Sequence, residues 1–154
     1  MLKRIYDRYR RPLLLMAAFT VLFQSLEIGL VELSGDGPAQ GAFAALANWY
    51  ALVLFVVFPT AIVWHSAIRP ETPPLVKKPA DAFTLGMFTN GLLGAFSLAL
   101  GMLGVMVRWV VHGWSGQTSI IAIGSLGGFV LVLPLGGVLG WTVFRLIRPR
   151  LKTR

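Results

Sequence analysis

Four long apolar stretches run through the chain, at about 13–33, 43–65, 83–111 and 118–146. The breaks between them read SGDGPAQG, RPETPPLVKKPADA and GWSGQ, each rich in Gly, Pro or small polar residues. Every stretch is long enough to cross the hydrocarbon of a bilayer, which takes about 20 apolar residues at 1.5 Å each. Apolar residues follow one another without the alternation of a membrane β-strand. A backbone surrounded by lipid must close its hydrogen bonds within its own segment, so each stretch is predicted to be an α-helix. The expected fold is therefore an all-α integral membrane protein with four transmembrane helices. It forms one membrane domain over 1–154: a basic segment 1–12, a first helical hairpin 13–67, a Pro-rich loop 68–82, a second hairpin 83–147 and a basic tail 148–154.

The start MLKRIYDRYRRP has the basic character of a signal peptide, and Ala42-Phe43-Ala44 faintly resembles a cleavage site. The apolar run that follows Pro12 extends to about Val31, longer than the roughly 7–15 residues of a signal-peptide core, so it reads as an uncleaved first helix.

Composition sharpens this picture. The 154 residues are 56% hydrophobic and 13% charged, with a mean hydropathy of +0.73, whereas a soluble domain keeps about a quarter of its residues charged. There is no cysteine, hence no disulfide framework and no thiolate metal site. The net charge of +8 would suit nucleic acid, but the basic residues come with no folded reading module or aromatic platform. Instead, thirteen of the fourteen Lys and Arg flank the apolar runs: five within 3–11, then Arg69, Lys77 and Lys78, and five from Arg145 to Arg154. Only Arg108 falls near the other two connections. Four spans place all three clusters on one side, and the positive-inside rule makes that side cytoplasmic, with both termini inside. The implied location is a bacterial cytoplasmic membrane, with anionic headgroups as partners of the basic face. Trp49, Tyr50, Trp109 and Trp114 are placed at the outer interface, and Tyr6, Tyr9, Trp64 and Trp141 at the inner one.

Spans two and four resemble each other: VLFVVFPTAIVW (53–64) and FVLVLPLGGVLG (129–140) carry Pro59 and Pro134, and each leads to an Ile-Arg-Pro exit. Two tandem hairpins are expected, forming a parallel repeat. The pattern Trp49…Phe58-Pro59…Arg69 resembles a family of short bacterial two-span membrane proteins of unknown function, here in tandem. More distantly, the four-helix plan is similar to the proteobacterial antimicrobial compound efflux family, which has a glutamate after phenylalanine in its first helix and an adjacent Trp-Asn in its second. The corresponding residues here are Phe23-Gln24-Ser25-Leu26-Glu27 and Asn48-Trp49. The resemblance implies helical hairpins and points to Glu27 as a residue that bears on transport.

Small residues mark candidate packing faces, because helices in lipid associate by close backbone approach. Asn90, Gly94, Ser97, Gly101, Gly104 and Arg108 recur at 4-3-4-3-4 spacing, one seam along span three. Gly124-x3-Gly128 and Gly136-x3-Gly140 mark span four. Contact among the chain's own helices and an assembly face for a second copy or a larger membrane complex both fit. Pro59 and Pro134 should kink their helices, since each removes one hydrogen bond.

The polar residues inside the spans are the candidate chemistry. Glu27 lies fourteen residues beyond Leu13, about 21 Å along a helix, with Gln24 on its face. Asn48 and Arg108 are predicted at similar depth. An intramembrane charge costs roughly 2.5–3.5 kcal/mol and should face a partner, so Glu27 and Arg108 are expected to meet in a buried polar cluster with Gln24 and Asn48. Such a cluster serves a structural pair, a proton-coupled carboxylate in a small exporter, or a lipid site; a permanent pair with Arg108 favours the charged carboxylate and opposes proton carriage. No metal spacing or nucleophile-base set is visible, and no cofactor is expected; His112, beside Trp109 and Trp114, is the one position suited to an axial ligand of a haem or pigment. The function class that follows is a non-enzymatic accessory or assembly subunit, or homo-oligomer, with a small-solute or drug exporter centred on Glu27 as the alternative.

Overall fold

The computed structural model describes residues 2–29, 38–68 and 75–151. Arg69, Lys152 and Arg154 of the basic clusters, and most of the Pro-rich loop, lie outside the described residues, as does the Gly-rich turn at 34–37. The elements in order are α1 (Leu2–Glu27), α2 (Pro38–Leu52), a π-helical turn (Val53–Val57), α3 (Phe58–Ile68), α4 (Pro79–His112) and α5 (Gly116–Leu151). The described chain is helical almost throughout and contains no strand. Among the described residues, three stretches are long and apolar enough to cross a membrane: Ala45–Ile68, Pro79–His112 and Gly116–Arg148. α1 runs from the basic segment through Pro12 into the first apolar run, so this helix starts well before residue 13.

Local chemistry sets the boundaries. α4 begins at Pro79, ahead of the predicted 83, because Pro suits the first helical turn. The Asp81 carboxylate also accepts the N–H groups of Lys77 (2.9 Å) and Lys78 (3.0 Å). α4 ends where Gly113 takes a φ of +79°, with its N–H bonded to the Trp109 carbonyl at 2.9 Å. Ser115 then caps α5 by accepting the Thr118 N–H at 3.3 Å. A three-residue turn thus joins two helices of 34 and 36 residues, each about 50 Å long. The α2–α3 rod is interrupted in another way. Pro59 has no N–H, and the helix around it widens so that the Phe58 N–H reaches the Val53 carbonyl. Pro134 causes no such break, and α5 stays α-helical through it.

α4 and α5 are antiparallel and make the most extensive pairing. Their closest approach is backbone to backbone. A methyl added at Gly86 would overlap the Gly136 carbonyl, one at Gly136 the Gly86 carbonyl, and one at Gly140 the Ala82 carbonyl. At Gly137 an added Cβ would sit 2.6 Å from the Phe83 ring. The Gly136-x3-Gly140 motif is therefore a contact inside the chain, and Gly86 and Ala82 extend the seam of α4 by two positions below Asn90. Around this contact lies the main core. Ile5, Tyr9 and Leu13 of α1, Ile62 and Val63 of α3, Val76, Ala82 and Leu85, and Val143, Phe144 and Ile147 of α5 form one cluster. That cluster gathers the start of α1, the end of α3, the start of α4 and the end of α5. The segments bearing the basic clusters therefore share one end of the bundle. A second cluster of Tyr50, Leu54 and Leu93, with Phe23, Phe55 and Phe58 against it, fills the middle.

The aromatic residues divide. Trp49, Trp109, Trp114, Trp64, Trp141 and Tyr6 are exposed, and the Arg145 guanidinium lies 3.8 Å from the Trp141 ring centre. Tyr9 and Tyr50, expected at interfaces, are instead buried, because each finds hydroxyl partners inside the bundle. Tyr9 Oη is hydrogen-bonded to Ser66 and to His65 Nδ1 (3.1 Å), tying α1 to α3.

Substitutions at the contact should separate packing glycines from open ones. Gly86→Ala and Gly136→Ala are expected to lower stability in detergent by about 1–3 kcal/mol through overpacking. Gly124→Ala and Gly127→Ala, where an added Cβ meets nothing within 4 Å, should leave it unchanged or raise it by up to about 1 kcal/mol. Thermal unfolding followed by circular dichroism reads both.

Candidate functional site

The seam of small residues on α4 does two different jobs along its length. At Gly86 the two helices touch. At Gly94 an added Cβ would be 3.0 Å from Val132 and 3.1 Å from Phe129, and at Gly101 its nearest neighbour, Ser125 Oγ, is 3.9 Å away. At Gly124, Gly127 and Gly128 it would meet nothing within 4 Å. Between the Gly86 contact and the Gly113 turn, α4 and α5 therefore stand further apart. Glycine and serine side chains cannot fill the gap.

The gap is a cavity of about 320 Å³. α1 contributes Gln24, Glu27 and Ile28; the α2–π segment contributes Ala51 and Phe55. α4 lines it with Gly94, Ser97, Leu98, Gly101, Gly104 and Val105, and α5 with Ile121, Ser125, Gly128, Phe129 and Val132. The lining is mainly apolar, with one carboxylate, one amide and two hydroxyls. Gln24 and Glu27 are half-buried, one turn apart at the end of α1, as their spacing predicts. From Gly94 to Val105 the cavity extends about 16 Å along α4, within the half of the bundle away from the basic clusters.

Arg108 follows Gly104 by one turn and is buried, at 7% exposure. It donates from Nη2 to Gln117 Oε1 at 2.7 Å. Gln117 is a partner that sequence reasoning did not name; it sits in the first turn of α5, just after the connection from α4. Asn48 is exposed on α2, outside the cavity lining. Behind the lining on the α2 side is an aromatic wall: Tyr50 stacks on Phe23, with centroids 4.2 Å apart and an interplanar angle of 3°, and its hydroxyl lies 3.2 Å from Oγ of Ser97, which does line the cavity.

One turn of α4 before Gly94, a buried amide bonds the backbone of two lining residues. Asn90 is fully buried, and its Nδ2 donates to the Phe55 carbonyl (3.1 Å) and to the Val132 carbonyl (2.9 Å). Two buried groups, Asn90 Oδ1 and Thr60 Oγ1, have no hydrogen-bond partner; each such group costs about 1–3 kcal/mol. Sequence spacing had placed Asn90 in a packing seam. Its role as a donor to two other helical segments depends on where those carbonyls come to lie, which periodicity does not encode.

Among the described residues no three His, Asp or Glu side chains converge as a metal site. His112 is exposed at the end of α4, close in sequence to the edge-to-face pair Trp109 and Trp114, whose centroids are 6.0 Å apart.

Comparison with known proteins adds no relative: no family model, curated protein or solved structure matches the chain.

The aromatic wall yields a graded expectation. Tyr50→Phe removes only the hydroxyl contact and should cost about 0.5–1.5 kcal/mol. Tyr50→Ala also removes the stack on Phe23 and should cost about 3–5 kcal/mol. Equal losses in denaturation of the two variants would refute this account of the wall.

Proposed function

We propose that this chain is a four-span protein of the bacterial cytoplasmic membrane, with α1 as its first span and both termini cytoplasmic. On this reading it is a non-enzymatic carrier that holds a small lipophilic solute in the cavity at Glu27. The observation that carries the proposal is the asymmetry of the bundle. One half is shut by backbone contact between glycines, whereas the other holds a cavity lined by the Glu27 carboxylate. A scaffold needs no such space. A carboxylate in an apolar enclosure is costly and is kept where it serves a pathway or a partner. Closed near the basic end and hollow beyond it, the bundle suits one end state of a carrier. The large apolar side chains exposed along α1, such as Leu15 and Leu22, suit a helix facing lipid. The thirteen flanking cations suit a cytoplasmic face.

A second reading, an assembly subunit or small homo-oligomer, is favoured by a separate observation. The outer half of α5 exposes Ile120, Ile123 and Leu126, and an added Cβ at Gly124, Gly127 or Gly128 meets nothing. That face is of the small-xxx-small type by which membrane helices pair.

Two experiments test these readings. In inside-out vesicles, Glu27→Gln and the cavity-filling Gly101→Leu should each abolish accumulation of a lipophilic fluorescent dye driven by the parent protein. Dye movement equal to the parent in both variants would remove the carrier. Tags on the two chain ends should both be accessible only from the cytoplasmic side; opposite-side reporting would remove the four-span topology.

A further inference from the structure

We infer that Asn90 is the latch of an inner gate, holding the α2–α3 rod against α5 beside the cavity. The inference takes its purpose from the carrier reading but stands on different residues. Pro59 has no N–H, so the Phe55 carbonyl, four residues earlier, lacks its α-helical donor. The π turn shifts the neighbouring bonds, with the Phe58 N–H reaching Val53, and the Asn90 amide donates to the Phe55 carbonyl at 3.1 Å. The same nitrogen donates at 2.9 Å to the Val132 carbonyl, two residues before Pro134. One side-chain nitrogen therefore joins the two proline-bearing helices to α4.

The joint lies where a gate has to be. Phe55, Val132 and Gly94 all line the cavity, and Asn90 is one turn below Gly94 on α4. Below Asn90, Gly86 and Gly136 are in backbone contact. The joint also leaves groups unserved, which makes it a switch. Asn90 Oδ1 on α4 and the Thr60 hydroxyl, next to Pro59 on the rod, are buried without partners. The closed arrangement secures the carbonyls of Phe55 and Val132 at the cost of these two groups, so a movement of the rod exchanges one set of satisfied groups for another.

The test uses the full chain in detergent and needs no solute. The sequence has no cysteine, so Val63→Cys supplies a single reporter. Val63 is fully buried on α3 and lies 3.3 Å from where a Cβ at Gly140 would sit, between the rod and α5. A water-soluble maleimide should label it slowly. Adding Asn90→Ala should speed labelling about ten-fold, the effect of losing one net hydrogen bond from the closed state. Adding Pro59→Ala as well should restore the slow rate, because the new N–H at position 59 can serve the Phe55 carbonyl. An Asn90→Ala protein that folds only together with Pro59→Ala supports the latch equally. Rates agreeing within about two-fold across the set, an acceleration that Pro59→Ala leaves untouched, or failure to fold in both backgrounds would overturn it. Glu27→Gln should leave labelling unchanged, so the carrier reading and the latch can fail separately.

Discussion

The structure depends on the contact of two peptide backbones. Where Gly86 of α4 meets Gly136 of α5, no side chain separates the helices, and the neighbouring pair of Ala82 and Gly140 repeats the arrangement one turn away. In a bilayer the apolar side chains gain nothing by leaving lipid for one another, so helix pairing relies on such close approach and the dispersion contacts it permits. With the inner ends of α4 and α5 fixed, α3 packs Val63 against the same spot, and α1 completes the cluster with Ile5, Tyr9 and Leu13. Between this contact and the turn at Gly113 the facing residues are mostly small, among them Gly94, Ser97 and Gly101 of α4 and Ser125 and Gly128 of α5, and they leave space between the helices.

That space connects the packing to the proposed chemistry. Glu27 and Gln24 lie at the end of α1, where the core cluster no longer holds it, and they face the more widely spaced part of the α4–α5 pair. Gly86, Gly136 and Gly140 allow the contact, whereas Gly94, Gly101, Gly104 and Gly128 of the same two helices line the volume. Asn90 stands at the transition, with Tyr50 and Phe23 forming the wall above it. A single stripe of small residues thus gives a closed half and a hollow half without any change in helix type.

Much of the helical class was legible in the sequence, because continuous apolar runs bounded by Gly and Pro leave little alternative. The boundaries were less so. Periodicity in apolar residues could not register that Asp81 and Pro79 start α4 early, or that α1 continues into the charged segment. Within the candidate site, the spacing of Gln24 and Glu27 was enough to put both on one face. It was not enough to find Gln117 as a partner of Arg108, since the two are joined by the Gly113 turn, whose backbone geometry sets the distance. The seam on α4 was visible as a 4-3-4 repeat, yet its division into contact and cavity depends on the path of the other helix. Nor did the sequence distinguish the prolines: Pro59 sits beside a π turn and Pro134 in an unbroken helix, and that difference arises from their neighbours.

The placement of α1 has a consequence for how the protein is made. Its most extensive backbone approach is to α4, and side-chain ties such as Tyr9 to Ser66 reach the helix pair between them in sequence. Chains are synthesised from the N-terminus, so α1 leaves the ribosome long before its principal neighbour exists. During that interval the end of α1 that carries Gln24 and Glu27 has no cavity to line. Until more than a hundred residues have been translated, the first helix must do without the contacts to α4 that it makes in the finished fold.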